Sequence, residues 1–170
     1  SLRRLGLETI DLFQLHRIDP QVPADEQFGV LAELRSEGKI QHVGLSEVSI
    51  GELEAARTVV PIVTVQNRYN LVDRDSEDVL EHCEREGIGF IPWFPIASGR
   101  LAEPGGAVDA LARDKGATPA QIALAWLLAR SPVILPIPGT SKVAHVEQNC
   151  KAAEVTLSAA EVTSLGELPR

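Results

Sequence analysis

Short apolar runs alternate with amphipathic helical patterns along the chain, and this alternation restricts the fold more than any other feature of the sequence. Short apolar runs predict strands, and they fall at 10–15, 42–45, 62–66, 89–93 and 133–137. Helices are predicted between them from apolar spacing and from N-terminal cap signals, at Asp25, Ser49, Thr118 and Ser158. Such alternation is typical of a parallel sheet covered by helices.

Five β/α units predict an α/β fold that is an incomplete (β/α)8 TIM barrel, because a closed barrel has eight strands and typically about 250 residues. An open doubly wound sheet is the alternative, but no Gly-x-Gly-x-x-Gly fingerprint follows any predicted strand. No linker interrupts the pattern, so residues 1–170 are expected to form one domain, the C-terminal part of a barrel without its N-terminal strands. The chain opens at Ser1 without a methionine, which suggests a start within a longer protein.

The charge balance restricts the possible partners. The 170 residues carry a formal net charge of -8 from 16 basic and 24 acidic residues, which argues against nucleic acid and anionic membranes as partners. Cys83 and Cys150 have no Cys-x-x-Cys spacing, so reduced thiols and a cytoplasmic location are expected, with no disulfide and no metal site. Neither a signal peptide nor an apolar run of transmembrane length is found.

Residues 133–142 combine an apolar run, two prolines, a glycine and the sequence Thr140-Ser141-Lys142. The run predicts a buried strand, the prolines and the glycine end it, and the two hydroxyls are expected to cap the following helix. Free N–H groups at a helix N-terminus favour an anion, and Lys142 adds a positive charge. We therefore predict a phosphate site from Gly139 to Lys142, with an ordinary strand-to-helix connection as the alternative.

Polar or planar side chains follow each predicted strand. They are His16, Ser46-Glu47, Gln66-Asn67, Trp93-Phe94 and the segment from Gly139 to Lys142. The carboxyl ends of barrel strands meet on one face, so these groups are expected to converge. Each has an ordinary structural alternative, such as a hydrogen-bonded loop residue or a core aromatic. Together, an amide, a flat ring, a hydroxyl and an anion site suit a dinucleotide cofactor.

Several motifs resemble the C-terminal part of the aldo-keto reductase family, strands 4 to 8 of its barrel, over essentially the whole chain. They are Asp11-Leu12-Phe13-Gln14-Leu15-His16, Gly38-Lys39-Ile40 leading to Gly44-Leu45-Ser46, Val65-Gln66-Asn67-Arg68-Tyr69-Asn70, the aromatic-Pro-Ile-x-x-Gly run from Trp93 to Gly99, and Ile137-Pro138-Gly139-Thr140 with Gln148-Asn149. The resemblance implies an oxidoreductase that reduces the carbonyl of a small aldehyde or ketone. Its implied cofactor is NADPH/NADP+, with NADH as a second option.

The resemblance also implies a role for each matching residue. His16 corresponds to the active-site histidine that orients the substrate carbonyl, and Trp93 to the ring that stacks on the nicotinamide. Ser46 and Gln66 correspond to contacts of the nicotinamide carboxamide. The remaining cofactor contacts are implied at Ile96, Ser98 and Gly99 along the pyrophosphate, at Ser141 and Lys142 beside Gly139 for the 2′-phosphate, and at Gln148 and Asn149 near that phosphate and the adenine.

Three features depart from the family pattern. Glu47 replaces the usual asparagine after the carboxamide serine, and a carboxylate accepts hydrogen bonds but does not donate them. His145 stands where many relatives carry an arginine, which is expected to weaken the preference for NADPH over NADH. The single tyrosine, Tyr69, does not match the proton-donor position, so this chain by itself is expected to be inactive or nearly so.

Two other functions stay open at this point. One is a non-catalytic NADP(H)-binding module or regulatory subunit. The other is a barrel enzyme acting on small sugar phosphates, against which Gln66 and Trp93 argue. Because an incomplete barrel leaves strand edges unpaired, self-association through those edges is also expected.

Overall fold

Four parallel strands form one sheet in the computed structural model, which describes residues 1–97 and 107–168. The strands are β1 (Ile10–Leu15), β2 (Ile40–Ser46), β3 (Ile62–Gln66) and β4 (Gly89–Phe90), hydrogen-bonded in that order. The helices are α1 (Leu2–Leu5), α2 (Ala24–Ser36), α3 (Ile50–Arg57), α4 (Glu77–Glu86), α5 (Ala107–Asp114), α6 (Pro119–Arg130), α7 (Val143–Lys151) and α8 (Ala159–Gly166), with a 3-10 turn at Ala152–Glu154. The predicted α/β class with parallel strands is confirmed.

The cap signals in the sequence act as predicted at α3, α6 and α8. The hydroxyl before each helix, from Ser49, Thr118 or Ser158, accepts a hydrogen bond from the third helical N–H, and the Glu or Gln at that third position bonds back. These bonds satisfy N–H groups that otherwise have no partner in the first turn. The predicted cap of α2 by Asp25 is wrong. Pro23 is its N-cap residue, and Asp25 lies in the first turn, where the helix dipole favours a negative charge.

The predicted buried strand at 133–137 is also wrong. Ile134 is buried and makes a single bridge, whereas Leu135 is 63% and Ile137 43% exposed. Pro136 has no N–H to donate to a ladder, and Pro138 repeats this gap two residues later, on the same side of an extended chain. The segment therefore runs as irregular chain into α7.

Helices cover one face of the sheet, and the side chains of β2 and β3 alternate between the two faces. Val43, Leu45 and Val65 are fully buried on the covered face, and α2 and α3 contribute Phe28, Leu31, Leu53 and Ala56 to the same core. In β2, Gly44 lies between Val43 and Leu45, and Ser46 follows Leu45, so both belong to the opposite face. The polar residues of the candidate site lie on that opposite face.

Contacts within the chain divide it into two compact units. The first comprises Ser1–Asn67 and Asp78–Phe90 and contains the sheet, and the second comprises Arg68–Glu77 and the described residues from Ile91 onward. The core of the second unit contains Tyr69 and Trp126, stacked with ring centroids 6.0 Å apart. The expectation of a single domain stays a prediction. Among the described residues, no helix has the length and apolar character needed to cross a membrane.

Candidate functional site

The carboxyl ends of three neighbouring strands in the first unit bring three of the predicted site residues together. Ser46 at the end of β2 pairs in register with Gln66 at the end of β3, and Leu15 of β1 pairs with Leu45 one residue earlier. His16 follows Leu15 and therefore lies beside Ser46 on the same face of the sheet. Ser46 is buried, Gln66 is half-buried and His16 is exposed.

Two hydrogen bonds hold the Ser46 hydroxyl. Its Oγ donates to the main-chain carbonyl of Gln66 at 2.9 Å and accepts from Nη1 of Arg17 at 3.2 Å. The same Arg17 nitrogen donates to the His16 carbonyl at 2.8 Å, so the guanidinium links the ends of β1 and β2. A hydroxyl has a single proton. Ser46 can therefore only accept one more hydrogen bond, and a ligand here must present a donor to it.

A series of side-chain hydrogen bonds reaches Gln66 from residues further back along the strands. Thr64 Oγ1 donates to Oε1 of Gln14 at 3.2 Å, and Nε2 of Gln14 donates to Oε1 of Gln66 at 3.1 Å. The amide oxygen of Gln66 is thereby engaged, and its Nε2 amino group is left to contact a ligand.

Gln14, Thr64 and Arg17 are not predicted as site residues from the sequence. For two of them a signal exists: Gln14 stands two residues before His16, and Thr64 two residues before Gln66. Residues two apart in a strand share a face. For Arg17 no comparable pattern exists, because its contact depends on the path of the loop after β1.

The chain after Ser46 is held in a rare backbone conformation. Glu47 has a φ of 55°, in the left-handed region that residues with a Cβ seldom adopt, and its N–H donates to the Gln66 carbonyl at 3.0 Å. Asparagine tolerates this conformation better than glutamate does. The fold thus gives a backbone reason for the asparagine that the resemblance leads one to expect here.

Asn67 has a structural role in the loop. Its amide pairs with both main-chain groups of Val48, donating to the carbonyl at 2.8 Å and accepting from the N–H at 3.1 Å. The side chain is buried. Asn67 therefore satisfies loop backbone, which is the structural alternative noted for it.

Trp93 lies in the second unit, where it is half-buried after the end of β4. The guanidinium of Arg68 lies 5.6 Å from the centroid of the Trp93 ring and 5.3 Å from that of Phe94. Nε of Arg68 also pairs with Asp73 at 2.6 Å, and the Asn70 amide donates to the Phe94 carbonyl at 3.1 Å. The turn after β3 thus fixes the position of the Trp93 segment.

The Trp93 segment contains two further residues in the left-handed region. Phe94 has a φ of 61° and Ala97 a φ of 51°, and the Ala97 N–H donates to the Phe94 carbonyl at 3.2 Å. Ile96, predicted beside the pyrophosphate, is half-buried. Ser98 and Gly99, predicted beside it as well, lie outside the described residues.

The predicted phosphate segment begins with a turn closed by a side chain. Thr140 Oγ1 accepts from the Lys142 N–H at 3.1 Å and is 3.3 Å from Nδ1 of His145. The N-cap residue of α7 is Lys142, without a side-chain cap, so the predicted capping by Thr140 or Ser141 is wrong. The hydroxyl of Thr140 instead accepts a hydrogen bond within the turn that precedes α7. The first turn of α7 contains no acidic residue, so its positive end is not neutralised by the helix itself.

The rest of the segment is anchored from the neighbouring helix. Nε2 of Gln121 in α6 donates to the main-chain carbonyl of Gln148 at 2.9 Å. Gln148 is exposed and Asn149 half-buried, and Gly139, Ser141 and Lys142 are exposed before them. The predicted phosphate and adenine contacts are thus accessible in the second unit.

Tyr69 has no access to a reacting group. It is fully buried, and its hydroxyl donates to Oε2 of Glu77 at 2.8 Å, while Nε of Arg130 donates to the other oxygen at 2.8 Å. Burial, and secondarily the Glu77 carboxylate, raise the pKa of Tyr69 above its usual value. A buried, more weakly acidic phenol is unsuited to donate a proton to a substrate.

Parallel strands, connecting helices and polar groups at the carboxyl ends of the strands define an α/β protein. A sequence profile of the aldo/keto reductase family matches residues 1–169. The chain belongs to the aldo/keto reductase family. The expected oxidoreductase family and its TIM-barrel fold are thereby confirmed.

Three relatives illustrate the similarity. An uncharacterized oxidoreductase of Schizosaccharomyces pombe is 55% identical over 167 residues, which cover 98% of this chain and 55% of that protein. Pyridoxine 4-dehydrogenase of Escherichia coli is 38% identical over 176 residues, covering 100% of this chain and 61% of that enzyme. The crystal structure of an aldo-keto reductase from Klebsiella pneumoniae in complex with NADPH matches with a TM-score of 0.87 at 32% identity, over 99% of this chain and 62% of that one. The chain thus spans 55% to 62% of the length of these three proteins.

Proposed function

We propose that the protein containing this chain is an NADPH-dependent oxidoreductase that reduces the carbonyl of small aldehydes or ketones to an alcohol. The observation that carries the proposal is the hydrogen-bond polarity at the carboxyl end of the sheet. Gln66 offers an amino group and Ser46 an acceptor lone pair. A primary carboxamide has one carbonyl oxygen and one amino group, so this pair matches the carboxamide of nicotinamide. A sugar phosphate has no such group.

NADPH supplies the hydride when it is bound. His16, exposed beside Ser46, would hydrogen-bond to the carbonyl oxygen of the substrate and orient it. Reduction of a carbonyl builds an alkoxide, and a positioned proton donor contributes typically about 10²–10⁴-fold to such a step. Tyr69 does not provide this proton, because its hydroxyl is bound to Glu77. The resemblance assigns the donor to earlier strands of the barrel, so we propose that this chain alone has little or no reductase activity.

The remaining cofactor contacts follow the family pattern in this proposal. Trp93 would stack on the nicotinamide. Lys142 and the positive end of α7 would hold the 2′-phosphate, which the absence of acidic residues in that turn supports. The pyrophosphate and adenine contacts would come from Ile96, Ser98, Gly99, Gly139, Ser141, Gln148 and Asn149. Because His145 stands in place of an arginine, NADH stays a second option.

The experiment is a titration of NADPH and NADH into the native protein, followed by NADPH oxidation with a panel of small aldehydes and ketones. We expect NADPH to bind and at least one carbonyl compound to be reduced. His16→Ala is expected to lower kcat at least about tenfold without changing the Kd for NADPH. His42→Ala is the matched control, because His42 is an exposed histidine in β2.

The outcome separates the proposal from its alternative. Binding of NADPH without reduction of any carbonyl compound would favour a non-catalytic NADP(H)-binding module. Failure of the native protein to bind either nucleotide would overturn the proposal. Ordinary turnover by the isolated 170-residue chain would overturn only its predicted inactivity.

Self-association and location are further parts of the proposal. β1 and β4 are the outer strands of the described sheet, and unpaired strand edges attract other chains. We propose that the isolated chain self-associates, and sedimentation of a monodisperse monomer would contradict this. We also propose a cytoplasmic location, since neither Cys83 nor Cys150 has a Cys-x-x-Cys spacing.

A further inference from the structure

We infer that Gln14 and Thr64 set the orientation of the Gln66 amide, and that this makes the site offer a donor to the carboxamide oxygen of the cofactor. The inference rests on the proposed function, since it concerns the hydrogen bonds between the site and the nicotinamide carboxamide of NADP(H). Gln14 and Thr64 act through Gln66. They are therefore positioning residues and not contacts of the cofactor.

The register of the sheet places the two residues on either side of a glycine. Gln14 in β1 pairs with Gly44 in β2, and Gly44 pairs with Thr64 in β3. The Gln14 and Thr64 strands are thus separated by a whole strand, about 10 Å from one to the other. Their side chains nevertheless meet at 3.2 Å above the glycine.

Gly44 is required for this contact. A Cβ at position 44 would lie 2.2 Å from Oγ1 of Thr64 and 2.9 Å from Cγ of Gln14. Any other residue would occupy the space in which the two side chains meet. A glycine in the middle of a strand weakens it, so its presence at this point is explained by the contact that it permits.

The hydrogen bonds run in one direction, from Thr64 through Gln14 to Gln66. Oγ1 of Thr64 donates to Oε1 of Gln14, and it is the Nε2 group of Gln14 that faces Gln66. Gln66 accepts this bond with its amide oxygen, so its amino group is directed away from Gln14. All three side chains are half-buried, where water competes less with such bonds than at the surface.

The orientation of the Gln66 amide matters because Ser46, the other residue that would bind the carboxamide, is also restricted in the hydrogen bonds that it can make. The Ser46 hydroxyl donates its single proton to the Gln66 carbonyl, so it can only accept a hydrogen bond from a ligand. A carboxamide that gives its amino hydrogen to Ser46 turns its oxygen towards Gln66, which must then donate. A reversed Gln66 amide would place two acceptors against each other.

The test is to reverse the amide by changing Gln14. Gln14→Glu is close in size but its carboxylate only accepts, so Gln66 must turn its amino group inward and present its oxygen to the cofactor. Gln14→Leu removes the constraint and leaves Gln66 free to adopt either orientation. In the native protein we expect Gln14→Glu to raise the Kd for NADPH about tenfold, and Gln14→Leu to raise it by less. A packing role would give the opposite order, because Glu conserves the shape of Gln better than Leu does.

A double-mutant cycle shows whether Gln14 acts through Gln66. In a Gln66→Ala background, Gln14→Glu is expected to change the Kd for NADPH by less than about twofold. Gln41→Glu is the matched charge control, because Gln41 is an exposed glutamine in β2. Should Gln14→Glu fail to fold, Thr64→Val in both backgrounds makes the same comparison, with an expected effect of about threefold.

Each result bears on a different claim. An unchanged Kd in Gln14→Glu, or an effect that persists in the Gln66→Ala background, would overturn the inference while the proposed function stands. If the unmodified protein binds no NADPH, the proposed function fails and the inference with it.

Discussion

Replacing Glu47 by asparagine is expected to stabilise the protein because of the backbone conformation at this position. Glu47 has a φ of 55°, and a Cβ in the left-handed region costs about 1–2 kcal/mol. Asparagine reduces this cost through local hydrogen bonds of its short side chain. Taking about half of the cost as recovered gives a gain of about 0.5–1 kcal/mol.

Alanine at position 47 is the matched control. Both Glu47→Asn and Glu47→Ala remove the carboxylate and every contact it makes, but only asparagine eases the left-handed backbone. The difference in free energy of unfolding between the two variants therefore isolates the backbone effect, at about 0.5–1 kcal/mol in favour of asparagine. Glycine also removes the strain, but its freedom in the unfolded chain offsets about 0.4–1 kcal/mol of that gain.

The assay is urea unfolding of the native protein and its variants, followed by circular dichroism. We expect the asparagine variant to have the higher midpoint with an unchanged slope, which indicates a change in stability and not in the compactness of the unfolded state. An alanine variant as stable as the asparagine variant would refute the reasoning, because it would show that the left-handed backbone is not strained at Glu47.

Three further predictions follow from individual contacts. Arg68→Lys keeps a positive charge for Asp73 but loses the flat guanidinium above Trp93. The amide hydrogen of Ala97 is therefore expected to exchange faster, by an amount that corresponds to a loss of about 1 kcal/mol in local stability. Tyr69→Phe is expected to cost about 1 kcal/mol of stability in urea unfolding while leaving kcat unchanged, and a loss of kcat above about tenfold would contradict our account of Tyr69. The hydrogen bond from Lys115, and after it the bond from the Ser158 N–H, lowers the pKa of Glu161 from 4.5 to about 2. Wild type should therefore be more stable than Glu161→Gln above pH 4.5, and this difference should disappear as the pH falls through about 2.

Local signals in the sequence predicted much of the helical structure. The capping boxes at Ser49, Thr118 and Ser158 involve residues three apart, so the sequence contains both partners of each bond. The same locality explains the error at α2. Asp25 is a good cap residue by type, but the entry of the chain into the helix made Pro23 the cap residue.

The strand predicted at 133–137 and the position of Trp93 depend on contacts with residues that are distant in the sequence. The apolar character of 133–137 is a correct observation, but a strand exists only where a neighbouring strand accepts its hydrogen bonds, and two prolines reduce what this segment can offer. The apolar run was therefore insufficient evidence of a ladder. The position of Trp93 likewise depends on Arg68 and Asn70, whose contacts no spacing along the chain predicts.

The sequence by itself determined the alternation of strands and helices, the family, and the candidate residues His16, Ser46 and Gln66. The tertiary structure decided how those candidates are oriented: the direction of the bonds from Thr64 through Gln14, the commitment of the Ser46 proton, and the place of Arg17 at the strand ends. The physical reason is range. Periodicity and caps are interactions within a few residues, whereas the polarity of a hydrogen bond between strands depends on register and on the space above a glycine, which exist only once the strands lie side by side.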